Sequence, residues 1–218
     1  MPGTFLQFRD LPDPIDTFER LFAAALQSLL DDLADAPWFI REREVVNRFV
    51  FRHLIPQFQA EALDINQIGI EIPVQVFPED DDHKPGVYAD VVVWPHAKAT
   101  TWRTCKPLAR IEWKNASCRE KSLTSLMKGH KKDIAHLERN SHLASLNYAV
   151  TTARQKGKEV VELRCKRIVK GRATEEFLSA SCNRIGDETV YQGSIRKLTL
   201  RGQACEGCVF PFGSTTPN

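Results

Sequence analysis

Two short apolar segments between residues 88 and 114 carry charged side chains at set positions. The first, YADVVVW, holds Asp90 directly before three valines, and the second, LARIEWK, holds Glu112 and Lys114 two residues apart. Because side chains alternate between the two faces of a β-strand, we predict that Glu112 and Lys114 share one face and that Ile111 and Trp113 point to the other. Two carboxylates and an amine are therefore expected on one side of a strand pair.

This trio suits metal-assisted hydrolysis of a phosphodiester. Mg²⁺ is commonly held by one or two carboxylates together with waters and substrate phosphate oxygens, and Asp90 and Glu112 would supply the carboxylates from paired strands. Lys114 would orient the attacking water and offset the charge that builds on the phosphate. The simpler alternative is a surface position for Asp90 and a solvated ion pair between Glu112 and Lys114 or Arg110.

An Asp followed, after a hairpin, by Glu-x-Lys resembles the PD-(D/E)xK nuclease superfamily, which has the restriction-endonuclease-like fold. The resemblance rests on Asp90, Glu112 and Lys114 and on the order of elements over residues 40–152. Ala89 stands where the motif has proline, and the connection between the two strands is long.

The resemblance implies a Mg²⁺-dependent deoxyribonuclease, in which Mn²⁺ substitutes for Mg²⁺ and cleavage leaves a 5′-phosphate and a 3′-hydroxyl. DNA is the favoured substrate and RNA is not excluded. Asp90, Glu112 and the carbonyl of Trp113 would hold the metal, and Lys114 would position the water. Glu44, on the helix before the sheet, fits the place of an assisting glutamate, although an ion pair with Arg48 at i,i+4 explains the same residue.

Two other classes of function fit the same residues. One is a non-catalytic nucleic-acid or protein-binding module on the same fold, because folds are reused across functions. The other is a metal-dependent hydrolase of small nucleotides. Retention of two carboxylates and the lysine favours the nuclease over the binding module.

Composition indicates an ordinary soluble globular protein: 218 residues, 42% apolar and 27% charged. The apolar run from Leu21 to Leu30 is short and flanked by acidic residues, so we expect no membrane span and a cytoplasmic location with reduced cysteines. Cys205 and Cys208 form half of a zinc site or a plain turn.

The predicted fold is a mixed central β-sheet flanked by helices, with a restriction-endonuclease-like αβββαβ core over residues 38–152. Residues 1–37 would form a lead-in and a capping helix that starts at the capping box of Asp16 and Glu19, and residues 153–218 a C-terminal extension on the same domain. The second helix is expected to stop at Pro56. A strand is predicted over 68–77 with Pro73 at an edge or bulge, and a helix is predicted to start at a capping box of Ser117 and Glu120. A strand over 146–150 should run parallel to the Glu112 strand. The remaining predictions are a strand over 160–169, a short helix over 173–182, and one or two strands over 190–200.

Charge is distributed unevenly along the chain. Residues 1–87 hold 16 acidic and 7 basic side chains, whereas residues 114–172 hold 5 acidic and 15 basic ones, giving −9 and +10. This segregation favours a polyanionic partner, unless the two halves neutralise each other in the fold. Expected nucleic-acid contacts come from the helix lysines and one loop: Lys121, Lys128, Lys131, Lys132, Trp102 and Arg103. Cleavage of both strands of a duplex would suggest a homodimer.

Overall fold

The structure is a computed structural model, and it describes residues 5–35, 41–75, 87–98, 105–116, 123–154, 160–169, 171–185 and 188–195. The described helices are α1 (Pro14–Asp35), α2 (Glu42–Arg48), α3 (Ile55–Ala60) and α4 (Leu123–Arg139), with a π-helical segment (Phe49–Leu54) joining α2 to α3. The described strands are β1 (Ile68–Gln75), β2 (Val87–Val93), β3 (Ala109–Ala116), β4 (Leu146–Arg154), β5 (Val160–Val169), β6 (Arg172–Ile185) and β7 (Glu188–Ile195).

All seven described strands form one sheet in chain order, β1 to β7. Neighbouring strands are antiparallel except β3 and β4, which run parallel and are connected through α4. Parallel neighbours need such a crossover, whereas antiparallel ones need only a turn. The predicted mixed α/β architecture and the parallel pairing of the Glu112 strand are confirmed, and β5, β6 and β7 show that the C-terminal extension continues the sheet.

The edge strand β1 explains how proline is accommodated in the sheet. Pro73 lies next to a register shift between β1 and β2, and β1 has β2 as its one neighbour in the described sheet. Because proline cannot donate a ladder hydrogen bond, it is tolerated at such edges and bulges. The prediction of an edge position or a bulge is therefore confirmed.

The main core lies between α1, the α2–α3 helix and one face of the sheet. It contains a contact network of aromatic rings, in which Phe22 of α1 packs against Phe49, Tyr148 and Phe177. Burial of large rings against each other supplies much of the apolar area removed from water. The same face of β3 contributes Trp113, which is 1% exposed.

The start of α1 differs from the prediction. The helix begins at Pro14, a residue suited to a first turn because its missing N–H would have no helical partner there. Glu19 does not close a capping box; it is 2% exposed and accepts hydrogen bonds from the Tyr148 hydroxyl at 2.7 Å and from the Arg167 guanidinium at 2.8 Å. It therefore links α1 to the sheet.

The second helix does not stop at Pro56, which corrects another prediction. At the end of the π-helical segment, the backbone N–H of Ile55 donates a hydrogen bond to the carbonyl of Val50, five residues earlier. The hydrogen-bond register therefore shifts just before the proline, whose missing donor then falls in the first turn of α3. Helical structure continues to Ala60.

The predicted helix over residues 173–182 is wrong, because this segment belongs to β6. Irregular register between β5 and β6 near Cys165 and Lys166 allows the consecutive residues Phe177 and Leu178 both to be buried. Such a bulge destroys strict alternation, the signal by which a strand is found from sequence. The strand over 160–169 is confirmed as β5.

Among the described residues, no helix is long and apolar enough to cross a membrane. Cys105 and Cys165 are free thiols. Cys205 and Cys208, the capping box at Ser117 and Glu120, and residues 196–200 of the last predicted strand lie outside the described residues.

Candidate functional site

Asp90 lies where β2 stops pairing with β3. The ladder between these strands ends at the pair of Val91 and Ile111. One residue further, the carboxylate of Asp90 accepts a hydrogen bond from the backbone N–H of Trp113 at 2.6 Å. A side-chain oxygen thus takes the place of a strand acceptor, which fixes the carboxylate against β3.

The predicted alternation along β3 is confirmed. Ile111 and Trp113 are buried in the main core, while Glu112 and Lys114 lie on the opposite face and are partly exposed. On that face Glu112 Oε1 accepts hydrogen bonds from Nε and Nη2 of Arg110 at 3.1 and 3.0 Å. Arg110 is fully buried, so it holds Glu112 in one orientation.

Lys114 lies between two further carboxylates. Its Nζ is 3.4 Å from Oε2 of Glu42 on α2 and 3.8 Å from Oδ2 of Asp133 on α4. Glu42 Oε2 also accepts a hydrogen bond from the Asn115 backbone N–H at 3.1 Å, which ties the start of α2 to the end of β3. Three elements therefore position the lysine.

The helix glutamate that reaches Lys114 is Glu42 rather than Glu44. Glu44 is exposed, and its carboxylate accepts a hydrogen bond from the Arg41 backbone N–H at 3.2 Å. The sequence contained the signal: residues three and four positions after Glu42 are the buried Val45 and Val46, which places Glu42 on the inward face of the helix.

Burial and mutual repulsion raise the pKa values of both carboxylates of the motif, Asp90 and Glu112. Burial raises the pKa of Asp90 to about 6, against the opposing effect of the Trp113 N–H, and the Glu42 carboxylate raises it further. Burial also raises the pKa of Glu112 to about 7, although Arg110 lowers it, and the Asp90 carboxylate adds to the rise. A cation bound between the two groups would offset the part of the shift that comes from their mutual repulsion.

The pKa values of Lys114 and of two residues on α4, Asp133 and His136, are also shifted at this site. Burial raises the pKa of Asp133, an effect that Lys114 opposes and Glu42 reinforces. Burial would lower the pKa of Lys114, but Glu42 and Asp133 raise it above its ordinary value. His136, one turn after Asp133, contacts Arg110 at 3.4 Å, and burial together with that guanidinium lowers its pKa.

Asp90 and Glu112 are the two carboxylates of the motif that could hold a metal ion. Within the part of the chain that the structure describes, no group of three or more His, Cys, Asp or Glu side chains is arranged to hold a metal ion. A site of two carboxylates suits Mg²⁺, which keeps several waters and takes further oxygens from a phosphate. Arg110 occupies Oε1 of Glu112, and the second oxygen, Oε2, remains the candidate ligand atom.

The expected nucleic-acid contacts are described only in part. Lys131 and Lys132 are exposed on α4, and Lys128 lies in the same helix. Trp102, Arg103 and Lys121 lie outside the described residues. The sequence reasoning missed Arg110, Glu42 and Asp133 as site residues.

The chain matches no protein-family model, and neither a curated protein nor a solved structure shows significant similarity to it.

Proposed function

We propose that this protein is a metal-dependent nuclease that hydrolyses DNA phosphodiester bonds on a restriction-endonuclease-like core. The observation that carries the proposal is the meeting of Asp90, Glu112 and Lys114 on one face at the point where the β2–β3 ladder ends. The order of elements from α2 through β1, β2, β3 and α4 to β4 is the order that the resemblance implies.

Asp90, Glu112 and the carbonyl of Trp113 would hold the cation. The N–H and C=O of one residue in an antiparallel pair point toward the same neighbouring strand. Because the N–H of Trp113 bonds to Asp90, its carbonyl also points toward β2, beyond the end of the backbone ladder. A bound Mg²⁺ would supply positive charge to a phosphoryl oxygen as negative charge develops there.

Lys114 would orient the attacking water and stabilise the charge that develops on the phosphate. Its ammonium is kept charged by Glu42 and Asp133, whose carboxylates lie 3.4 and 3.8 Å from Nζ. Holding this long side chain in one position before the substrate arrives reduces the entropy lost in the transition state. Lys131 and Lys132 on α4 would contact flanking phosphates.

Cleavage of DNA by Lys114→Ala tests the proposal, with Lys106→Ala as a control that removes an exposed lysine outside the site. Supercoiled plasmid and end-labelled single-stranded DNA are incubated with Mg²⁺, with Mn²⁺ or with EDTA. We expect cutting that needs the metal, retention of activity in the control and a loss of about 10²- to 10³-fold in Lys114→Ala.

Two outcomes would overturn the nuclease. An unchanged rate in Lys114→Ala would remove the mechanism. Salt-dependent binding of DNA without cutting, in the presence of either metal, would favour a non-catalytic binding module on the same fold.

A further inference from the structure

The first turn of α2 is fixed at the edge of the candidate site. Glu42 contacts Lys114 Nζ at 3.4 Å and the Asn115 N–H at 3.1 Å, so its position relative to β3 is set by two contacts. Arg43, the next residue, is consequently held close to the same site. Its side chain is 71% exposed.

Arg43 pairs with Glu71 of β1 across the solvent-exposed side of this turn. Nε of Arg43 is 3.2 Å from Oε1 of Glu71, and the Glu71 side chain is 49% exposed. Water screens such a pair and both long side chains lose freedom on forming it, so it contributes little to stability. A guanidinium donates two parallel hydrogen bonds to a phosphate as it does to a carboxylate, so an incoming phosphate can replace Glu71 at Arg43.

Glu71 has an unusual backbone conformation beside Asp90. Its φ is 52°, in the left-handed region that non-glycine residues seldom adopt. The β1–β2 pairs on either side of Glu71 place it opposite Asp90 in the register, and adjacent strands lie about 4.8 Å apart. Strained residues of this kind are found preferentially at functional sites.

The charge balance of the site calls for a cation at its edge. Four carboxylates and two cations meet there: Glu42, Asp90, Glu112, Asp133, Arg110 and Lys114. Four negative and two positive charges leave −2, so a phosphodiester that approaches this cluster before a divalent cation binds is repelled at short range. An arginine beside the opening offsets that repulsion.

We propose that Arg43 is a phosphate-binding residue of the candidate site, held by Glu71 until the backbone of a nucleic acid displaces this carboxylate. The inference rests on the proposed function for its ligand, a DNA strand, and adds a residue and an exchange of ion-pair partners to it. Glu71 acts as the competitor that any bound phosphate replaces. Arg43 contacts phosphate and not a base, so it contributes affinity without sequence preference.

Binding of a fluorescein-labelled single-stranded DNA, measured by anisotropy in EDTA so that no cleavage occurs, tests this inference. We expect Arg43→Ala to weaken binding about tenfold. The slope of log K against log salt should decrease in magnitude by about 1, because one phosphate contact is lost. Glu71→Gln should strengthen binding, since it removes the competing charge and leaves Arg43 in place.

Arg20→Ala is the matched control, because Arg20 also forms an exposed ion pair, with Glu61 at 3.1 Å, and has a similar exposure of 56%. It removes the same charge from α1, a different helix, and should change neither the affinity nor the slope. Equal effects of Arg43→Ala and Arg20→Ala would overturn the inference. Weaker DNA binding by Glu71→Gln than by the wild type would also overturn the inference.

The binding assay separates this inference from the nuclease proposal. If the wild type binds DNA through Arg43 but does not cut it with Mg²⁺ or Mn²⁺, the inference stands and the nuclease fails. If the wild type cuts DNA while Arg43→Ala behaves as Arg20→Ala does, the nuclease stands and the inference fails. A wild type that neither binds nor cuts DNA overturns both.

Discussion

Asp90 and Glu112 are carboxylates that the fold holds at an energetic disadvantage. Burial raises the pKa of Asp90 to about 6 and that of Glu112 to about 7, so each group ionises less readily than in the unfolded chain. A carboxyl group whose pKa is raised by folding releases its proton at a higher pH in the native state than in the unfolded chain. Stability is therefore lost as the pH rises from the pKa of the unfolded state to that of the folded state. A bound cation would relieve this strain, which is the property expected of metal ligands.

Asp90→Asn should therefore stabilise the protein at alkaline pH. The unperturbed carboxyl has a pKa of 3.8, so the window for Asp90 runs from about pH 4 to about pH 6. Asparagine does not titrate, and its side-chain oxygen can still accept the hydrogen bond of the Trp113 N–H. The quantity to compare is the unfolding free energy of the variant minus that of the wild type, measured without divalent ions. This difference should be about 1–3 kcal/mol more positive at pH 8 than at pH 4. Denaturant unfolding at both pH values measures this, and a pH-independent difference would contradict the shifted pKa.

Glu42 and Glu44 provide a matched pair that tests which helix glutamate serves the site. Glu42→Gln removes the charge next to Lys114 but keeps an acceptor for the Asn115 N–H, and we expect kcat for DNA cleavage to fall about tenfold with little change in KM. Glu44→Gln, in the same helical turn, should leave kcat unchanged. The reverse result would assign the role to Glu44.

The residues that could be predicted and those that were missed differ in a physical way. Asp90, Glu112 and Lys114 lie on two strands, and alternation alone gives their shared direction. Contacts made by α2 and α4 depend on how these helices pack against the sheet, which local sequence does not determine. Arg110 was missed as a site residue because a fully buried arginine in a strand has no distinctive sequence signal.

At the level of elements, α1 is attached to the sheet by a buried polar cluster as well as by apolar packing. Glu19 on α1 is in contact with the Tyr148 hydroxyl of β4 and the Arg167 guanidinium of β5, and all three side chains are almost fully buried. Such a charged pair stabilises little compared with apolar residues of the same shape, but breaking it is costly.

Glu19→Leu should lower the unfolding free energy by about 3–5 kcal/mol, since it removes the carboxylate that neutralises a buried arginine. Adding Arg167→Met to the same protein should recover part of this loss. Arg20→Ala, which breaks an exposed ion pair on the same helix, should cost about 0–1 kcal/mol. Urea denaturation compares the three variants, and equal losses in Glu19→Leu and Arg20→Ala would contradict a buried pair.

Elements with a clear period were found from the sequence, and elements with an interrupted one were not. The strands β1, β3, β4 and β5 show alternation, β2 is a continuous apolar run after Asp90, and the crossover helix between β3 and β4 has an apolar stripe. The bulge in β6 and the π-helical segment before Pro56 each insert a residue out of register, so a helix was predicted in place of a strand and a helix end in place of a continuation.

At the level of the whole molecule, ion pairs in the fold neutralise part of the uneven charge distribution along the chain. Among the described residues, the ion pairs of Glu19 with Arg167 and of Glu42 with Lys114 join the acidic first part of the chain to the basic second part. Others lie within the first part, including Arg43 with Glu71. Several basic residues, among them Lys131 and Lys132, remain exposed. The fold thus neutralises part of the asymmetry and leaves cations exposed on α4.

The most direct test of the proposed nuclease is the rate of DNA cleavage as a function of Mg²⁺ concentration, for the wild type and for Asp90→Asn. The wild-type rate should rise with Mg²⁺ and saturate, with products that carry a 5′-phosphate. Asp90→Asn should remain folded and bind DNA, but it should not cut at any Mg²⁺ concentration, because one of the two proposed carboxylate ligands is gone. Cleavage by Asp90→Asn at the wild-type rate would contradict the assignment of the site.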